Sequence, residues 1–125
     1  MNYRGWKSLR PCLEALQRLK DVAFSWEVIV VDNRSSDNQL GVFVDDFPEF
    51  YFVENVGNFG FSNGCNLGAS KATGEYLLFL NPDTLITGEA VRDLLREAEK
   101  HPEFTVLSCS QVNSNGKDTR PYGLF

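Results

Sequence analysis

WEVIVVDNRSSDN, residues Trp26 to Asn38, sets a run of β-branched residues, Val28 to Val31, directly against a polar turn. The run has almost no alternation of apolar with polar residues, which is the pattern of a strand buried on both faces, as in a parallel sheet. A second apolar run, EYLLFL at residues 75–80, ends just as abruptly in NPDT at residues 81–84. Two buried-type strands that stop in aspartate-bearing turns raise one question. Asp32 and Asp83 are either turn residues only, or they share a site beyond the strand ends.

The rest of the chain supplies the frame. Leu9, Cys12, Leu13, Leu16 and Leu19 recur at helical spacing, so an amphipathic helix is expected over about residues 6–20. Asp37 to Asp46 is expected to hold a short, weak helix, and Phe50 to Glu54 a strand. A Gly/Asn-rich loop, Asn55 to Gly60, comes next. Phe61, Cys65, Ala69 and Ala72 share a helical face, with Gly74 where a C-terminal glycine cap belongs. EYLLFL is the third expected strand. Thr87 is a good N-cap for a helix that carries Val91, Leu94, Leu95 and Ala98 on one face and closes at His101-Pro102. Phe104 to Val112 is expected as a fourth strand and Asn113 to Phe125 as loop. Helices and strands alternate, which predicts an α/β fold with a mostly parallel sheet flanked by helices. Ligands of such sheets sit beyond the carboxyl ends of the strands. Asp32 and Asp83 both lie there, which tilts the question toward a site.

Composition narrows the function classes. A chain of 125 residues is bounded to one domain and one core, and 42% hydrophobic content is enough to pack it. The net charge of −5 gives no support for nucleic-acid binding by phosphate neutralisation. No basic cluster is dense enough for a membrane patch, and no apolar run approaches the roughly 20 residues of a membrane span. The N-terminal residues lack the apolar core of a signal peptide. The three cysteines, Cys12, Cys65 and Cys109, are odd in number and widely spaced, which argues against a disulfide framework or a zinc site. They fit a reducing compartment, and a cytoplasmic location is expected.

The candidate motifs each have two readings. Asn81-Pro82-Asp83-Thr84 is turn chemistry by residue type alone. In the functional reading, Asp83 offers a hard carboxylate oxygen to a divalent cation, with Asn81 as a polar neighbour. Mg²⁺ and Mn²⁺ take few protein ligands and complete their shells from water and phosphate. In Asp32-Asn33-Arg34-Ser35-Ser36-Asp37, Ser36 or Asp37 can cap the following helix, while Asp32 can accept from the N–H of a pyrimidine base. In Asn58-Phe59-Gly60-Phe61-Ser62-Asn63-Gly64-Cys65-Asn66, glycine inside a helix costs roughly 1 kcal/mol relative to alanine. Gly64 and Gly68 therefore mark a close approach, by a ligand or by tight helix–sheet packing. The spacing is not the GxGxxG of dinucleotide-binding folds. No Ser/His/Asp or Cys/His nucleophile pattern is present, and His101 reads as a helix-terminal surface residue.

In combination, EVIVVDNRSSD, ENVGNFGFSNGCNLGASKATGEYLLFLNPDT and HPEFTVLSCSQVNSNGK resemble the family 2 glycosyltransferases of GT-A fold, and NYRGWKSLRPCLEAL resembles that family's first helix. The NPDT form resembles the rhamnosyltransferase-like subgroup. The resemblance implies that residues 1–125 are the nucleotide-sugar-binding part of a transferase domain truncated at both ends. It implies Asp32 at the base-contacting position, with Asn33 beside it, and Asn58, Gly60 and Phe61 in the NxGF loop. It places Asn66 on the helix behind, and Asn81 and Asp83 in the DxD element. Asp83 would be the metal ligand, for Mg²⁺ or Mn²⁺, and Asn81 replaces the first acid. The implied partners are a UDP-, dTDP- or GDP-linked sugar donor and a glycan or lipid-linked acceptor, at the inner face of the membrane. Transfer would be inverting, with the catalytic base outside this chain.

Two other classes remain: a non-catalytic nucleotide-binding or regulatory module of this fold, and an unrelated doubly wound nucleotide- or flavin-binding domain. Strand-end aspartates and the lack of a phosphate-cradling glycine loop count against the latter. The family's first strand lies between the strand of Val28–Val31 and that of Leu77–Leu80, and only Asn2 and Tyr3 represent it here. Either those two strands pair directly, or an extended segment of another copy fills the gap, with Asn113–Phe125 a candidate. The second route makes a homo-oligomer by strand exchange.

Overall fold

The computed structural model describes residues 1–19, 23–113 and 115–119. The chain divides into two compact units, Met1–Gly88 and Glu89–Phe125. The first contains helix α1 (Trp6–Gln17), strand β1 (Ile29–Asp32), helix α2 (Gln39–Asp46), strand β2 (Tyr51–Glu54) and helix α3 (Phe61–Ala69). This is an α/β arrangement with a parallel sheet flanked by helices. β1 and β2 pair in parallel, with Ile29 opposite Tyr51 and Asp32 opposite Glu54. Asn2 forms a parallel bridge to Asp32 on the other edge of β1. Its N–H donates to the Val31 carbonyl (2.7 Å), and its carbonyl accepts the Asn33 N–H (2.7 Å).

The continuous apolar run of β1 is explained by cover on both faces. Val30 joins the buried cluster of Trp6, Leu9, Cys12, Leu13 and Leu16 from α1 with Phe43, Phe47 and Phe50. Val31 points the opposite way, as alternation along a strand requires. There its Cγ2 lies 3.2 Å from where a β-carbon on Gly68 of α3 would be. Gly64 is likewise crowded, since its β-carbon would sit 2.6 Å from Met1 Cγ and 3.7 Å from Asn33 Oδ1. The two helical glycines therefore serve close packing of α3 on β1. The helix face of α1 is buried as its spacing predicts, and each fully buried leucine there contributes about 1.5–3 kcal/mol.

Several expectations are corrected. Residues 75–80 form no strand, and Tyr76, Leu77, Leu78 and Phe79 are all exposed. A strand exists only through a hydrogen-bonded neighbour, and among the described residues only Asn2 occupies the edge of β1 away from β2. Direct pairing of residues 77–80 with β1 is therefore not what closes the sheet. α3 ends at Ala69 rather than near Gly74, because the next N–H groups turn to carbonyls only three residues back, Lys71 to Gly68 (3.0 Å) and Ala72 to Ala69 (3.2 Å). The residue before α2 is Asn38, in left-handed conformation with no side-chain cap bond, rather than Ser36 or Asp37. The Asp37 carboxylate instead accepts from the Trp6 indole N–H (2.8 Å) and, more loosely, from the Gln39 N–H (3.3 Å).

In the second unit, helix α4 (Gly88–Lys100) starts directly after Thr87 and ends before His101, as expected. The expected fourth strand shrinks to β3 (Gln111–Val112), which pairs antiparallel with β4 (Asp118–Thr119) in the segment expected to be loop. Two residues of pairing follow from the tight turn that returns the Gly116 N–H to the Asn113 carbonyl (2.9 Å). Residues 114 and 120–125 of the Asn113–Phe125 tail lie outside the described residues.

Candidate functional site

The carboxyl ends of β1 and β2 carry a buried polar cluster. Asp32 is 1% exposed, and its Oδ1 accepts from Asn2 Nδ2 (3.1 Å) and from the Ser35 hydroxyl. Its Oδ2 accepts the Ser35 N–H (2.9 Å). A carboxylate offers about four lone-pair directions, and these bonds use three of them. Sequence reasoning singled out Asp32 and missed Asn2 and Ser35. The signal for Ser35 was its i+3 spacing from the aspartate, an Asx-type pattern. For Asn2, 30 residues away, there was none.

The turn after β1 is strained. Arg34, Ser36 and Asn38 all adopt positive φ, near 60°, 54° and 59°. Left-handed backbone is costly for residues with a β-carbon. The Asp32–Ser35 bonds hold this turn, and Arg34 Nη1 adds a bond to the Val56 carbonyl. Beside the turn lies an open depression of about 570 Å³, bordered by Asp32, Ser36, Asn38, Leu40 and Glu54 among others.

Asn33, 1% exposed, ties the strand end to the loop before α3. Its Nδ2 donates to Asn58 Oδ1 (2.7 Å) and to the Gly60 carbonyl (3.3 Å). Asp32, Asn33, Asn58 and Gly60 are thus brought together through one bonded framework. Gly60 sits at φ 87°, ψ 178°, a region open essentially to glycine alone. No atom lies within 4 Å of a β-carbon placed there, so any cost of adding one is backbone strain rather than collision. Gly60→Ala is expected to lower stability by about 1–3 kcal/mol, read as a shift of the urea midpoint. A loss below a few tenths would show that the loop relaxes freely.

Phe61 opens α3 and is 54% exposed, and Asn66 is exposed farther along the helix. Neither joins the bonded framework. Asn81 and Asp83 are exposed in a turn closed by the Thr84 N–H to the Asn81 carbonyl (3.1 Å). That carbonyl lies 3.9 Å from the Cys12 sulfur. Burial pushes the Cys12 thiol up from its ordinary range, the Met1 ammonium opposes the rise, and the Asp83 carboxylate adds to it.

Among the described residues no group of three or more His, Cys, Asp or Glu side chains could hold a metal ion. The donor chemistry does not suit an all-protein cage. Among those residues, too, no helix is long and apolar enough to cross a membrane.

Comparison with known proteins finds relatives by sequence. The chain is 32% identical over 85 residues to a poly-beta-1,6-N-acetyl-D-glucosamine synthase of Staphylococcus epidermidis, covering 66% of this chain and 20% of that protein. It is 28% identical over 120 residues to the low-salt glycan biosynthesis hexosyltransferase Agl10 of Haloferax volcanii, covering 93% and 36%. An uncharacterized glycosyltransferase of Haemophilus influenzae is 29% identical over 93 residues, covering 71% and 31%. The chain thus spans between 20% and 36% of the length of these relatives. No solved structure matches it significantly. The sequence profile described as glycosyl transferase family 2 matches residues 1–124, so the chain belongs to that family.

Proposed function

We propose that this chain is the donor-binding part of a glycosyltransferase that moves a sugar from a nucleotide diphosphate to a glycan or lipid-linked acceptor. The observation that carries the reading is the bonded framework of Asp32, Asn33, Asn58 and Gly60 at the carboxyl ends of two parallel strands. In this reading the Asp32 carboxylate also accepts a base N–H. Asn33, Asn58 and Gly60 shape the wall, and Phe61 and Asn66 line the approach from α3. Asn81 and Asp83 face the diphosphate, with Asp83 as the protein ligand of Mg²⁺ or Mn²⁺. A bound ion there supplies charge neutralisation of the leaving diphosphate. The chain's own part is to bind and orient the donor. Inversion at the anomeric carbon needs a base on the acceptor side, and no residue described here is assigned that part. The NPDT spelling alone supports a rhamnosyltransferase-like subgroup, and the relatives' names support a role in glycan synthesis, which we extend to a cell-envelope polysaccharide. The cytoplasmic side of a membrane, where nucleotide sugars and lipid-linked acceptors meet, is the location that fits.

Calorimetry with UDP, dTDP and GDP, each with and without Mn²⁺, tests this. One nucleotide is expected to bind, and Mn²⁺ to tighten it about tenfold, roughly 1.4 kcal/mol. Asp83→Asn is expected to abolish the Mn²⁺ increment while leaving the urea midpoint nearly unchanged, because an exposed turn carboxylate contributes little to folding. Equal nucleotide affinity with Mn²⁺ in both proteins would remove Asp83 from the site.

The edge of β1 that among the described residues only Asn2 occupies, with the exposed apolar residues Tyr76 to Phe79, supports a homo-oligomer in which an extended segment of a second copy continues that edge. Light scattering on the purified chain is expected to give more than the monomer mass, and Leu77→Lys with Phe79→Lys to restore it. A monomer at every concentration tried would end this reading.

A further inference from the structure

Asn55 and Asn63 carry no role in the donor-site reading, yet they bond directly into its framework. Asn55 closes β2 through its N–H to the Asp32 carbonyl (2.8 Å), and its side chain is buried. Asn55 Nδ2 donates to Asn33 Oδ1 (2.9 Å) and to Asn63 Oδ1 on α3 (2.7 Å). Asn33 in turn commits its Nδ2 to Asn58 Oδ1 (2.7 Å) and the Gly60 carbonyl (3.3 Å). Asn58 Oδ1 also receives the Gly60 N–H (3.3 Å).

A primary amide has two donor hydrogens and one acceptor oxygen. Both hydrogens of Asn55 and both of Asn33 are committed, so the relay has one direction: Asn55 gives to Asn33, and Asn33 gives to the loop. Turning Asn33 over would set its oxygen against Asn58 Oδ1 and the Gly60 carbonyl, and its nitrogen against Asn55 Nδ2. α3 leaves little room for another solution, because Gly64 brings that helix up to Asn33 Oδ1. The Gly60 carbonyl can only accept, so it orients the Asn33 amide, and Asn55 holds that orientation from the far side.

We propose that Asn55 is a positioning residue for donor binding: through Asn33 it fixes the loop of Asn58 to Gly60, with Asn63 as its counter-anchor on α3. The proposal rests on the donor-site reading for its consequence, and on the amide geometry alone for its mechanism. Asn55→Asp keeps the shape but replaces two donors with an acceptor facing two acceptors. Either Asn33 is left without its donor, or it turns over and repels the loop.

The test uses the full 125-residue chain in two readouts. By NMR, the Asn33 and Asn55 side-chain amide protons of the unmodified protein are expected to be protected from exchange, with Asn33 close to Gly60. In N55D the Gly60 amide and Asn33 side-chain signals are expected to move at pH 7.5. They should return toward their original positions as acid protonates the introduced carboxylate and restores one donor, whereas the unmodified protein shows no such step. By calorimetry, N55D is expected to bind the preferred nucleotide with Mn²⁺ about tenfold more weakly at pH 7.5, with the ratio to the unmodified protein shrinking at lower pH. Asn115→Asp, the same change at an exposed turn residue of the second unit, is expected to stay within about twofold. Unmoved Gly60 signals in N55D, or undiminished affinity in its folded form, would overturn the proposal. So would unprotected Asn33 amide protons in the unmodified protein, a result available even where N55D does not fold. If the unmodified chain binds none of UDP, dTDP and GDP, the donor-site reading fails, while the NMR step still decides the relay.

Discussion

Asp32→Ala is expected to lower the stability of the first unit by about 3–5 kcal/mol, the largest loss from any single polar side chain in it. The carboxylate is buried at 1% exposure and receives three internal donors, Asn2 Nδ2, the Ser35 N–H and the Ser35 hydroxyl. Removing it strands those donors away from water, at roughly 1–3 kcal/mol for a buried unsatisfied group. It also releases the left-handed residues Arg34 and Ser36, whose strain is tolerated only while the turn is held. Asp32→Asn retains the shape but offers a donor where donors already point, so it should recover only part of the loss. Urea unfolding followed by tryptophan fluorescence reports both variants, since Trp6 belongs to the same core. A loss below about 1 kcal/mol for the alanine variant would show that water replaces the carboxylate and that the turn does not depend on it. The consequence for function is that Asp32 is a residue of structure as well as of site. Loss of nucleotide binding in an Asp32 variant therefore has to be measured on the folded fraction.

Leu13→Ala is expected to cost about 2–5 kcal/mol. Leu13 is 1% exposed at the centre of the buried face of α1, among Trp6, Leu9, Cys12 and Leu16 and opposite Val30, Phe43, Phe47 and Phe50. The stacked ring pair Phe47–Phe50, with centroids 6.0 Å apart, and the tilted Trp6–Phe43 pair at 4.8 Å cannot slide into a vacated space without losing their own contacts. The cavity should therefore persist, which places the cost toward the upper part of the range. Leu85→Ala is the control. Its side chain is 70% exposed, and the change should stay within about 0.5 kcal/mol. Equal urea midpoints for the two variants would mean that the core is not centred on α1. Folded domains carry only about 5–15 kcal/mol in total, so Leu13→Ala alone should leave a measurable unfolded population.

Local regularities in the sequence were enough to place α1 and β1. The buried face of α1 follows from the spacing of Leu9, Cys12, Leu13 and Leu16, because helical period is a property of neighbouring residues. The two-sided burial of β1 follows from Val28 to Val31, because a strand with one wet face would alternate. Gly64 and Gly68 announced a close approach, and the missing side chains already specify that something must fit there. The polar turns after the strands were legible in the same way, and so was the family, whose motifs are runs of consecutive residues.

What the sequence could not decide depends on partners far along the chain. EYLLFL has every local property of a strand, yet residues 75–80 are not one, because a strand is completed by a neighbour and among the described residues none lies beside it. Asp32 looked like a free acceptor. Tertiary structure brings Asn2 onto its edge of the sheet and turns the carboxylate into a buried hub of three bonds. Asn33 and Asn58 stood out in the sequence only through a family resemblance, and nothing in it tied Asn55 and Asn63 to them. Only the folding of β1, β2 and α3 against one another places them within hydrogen-bond reach. Helical and strand patterns are written in side-chain period and volume, which neighbouring residues carry among themselves. Hydrogen-bond direction between residues 8 to 30 apart is set only after the backbone has closed, so only the tertiary structure could decide it.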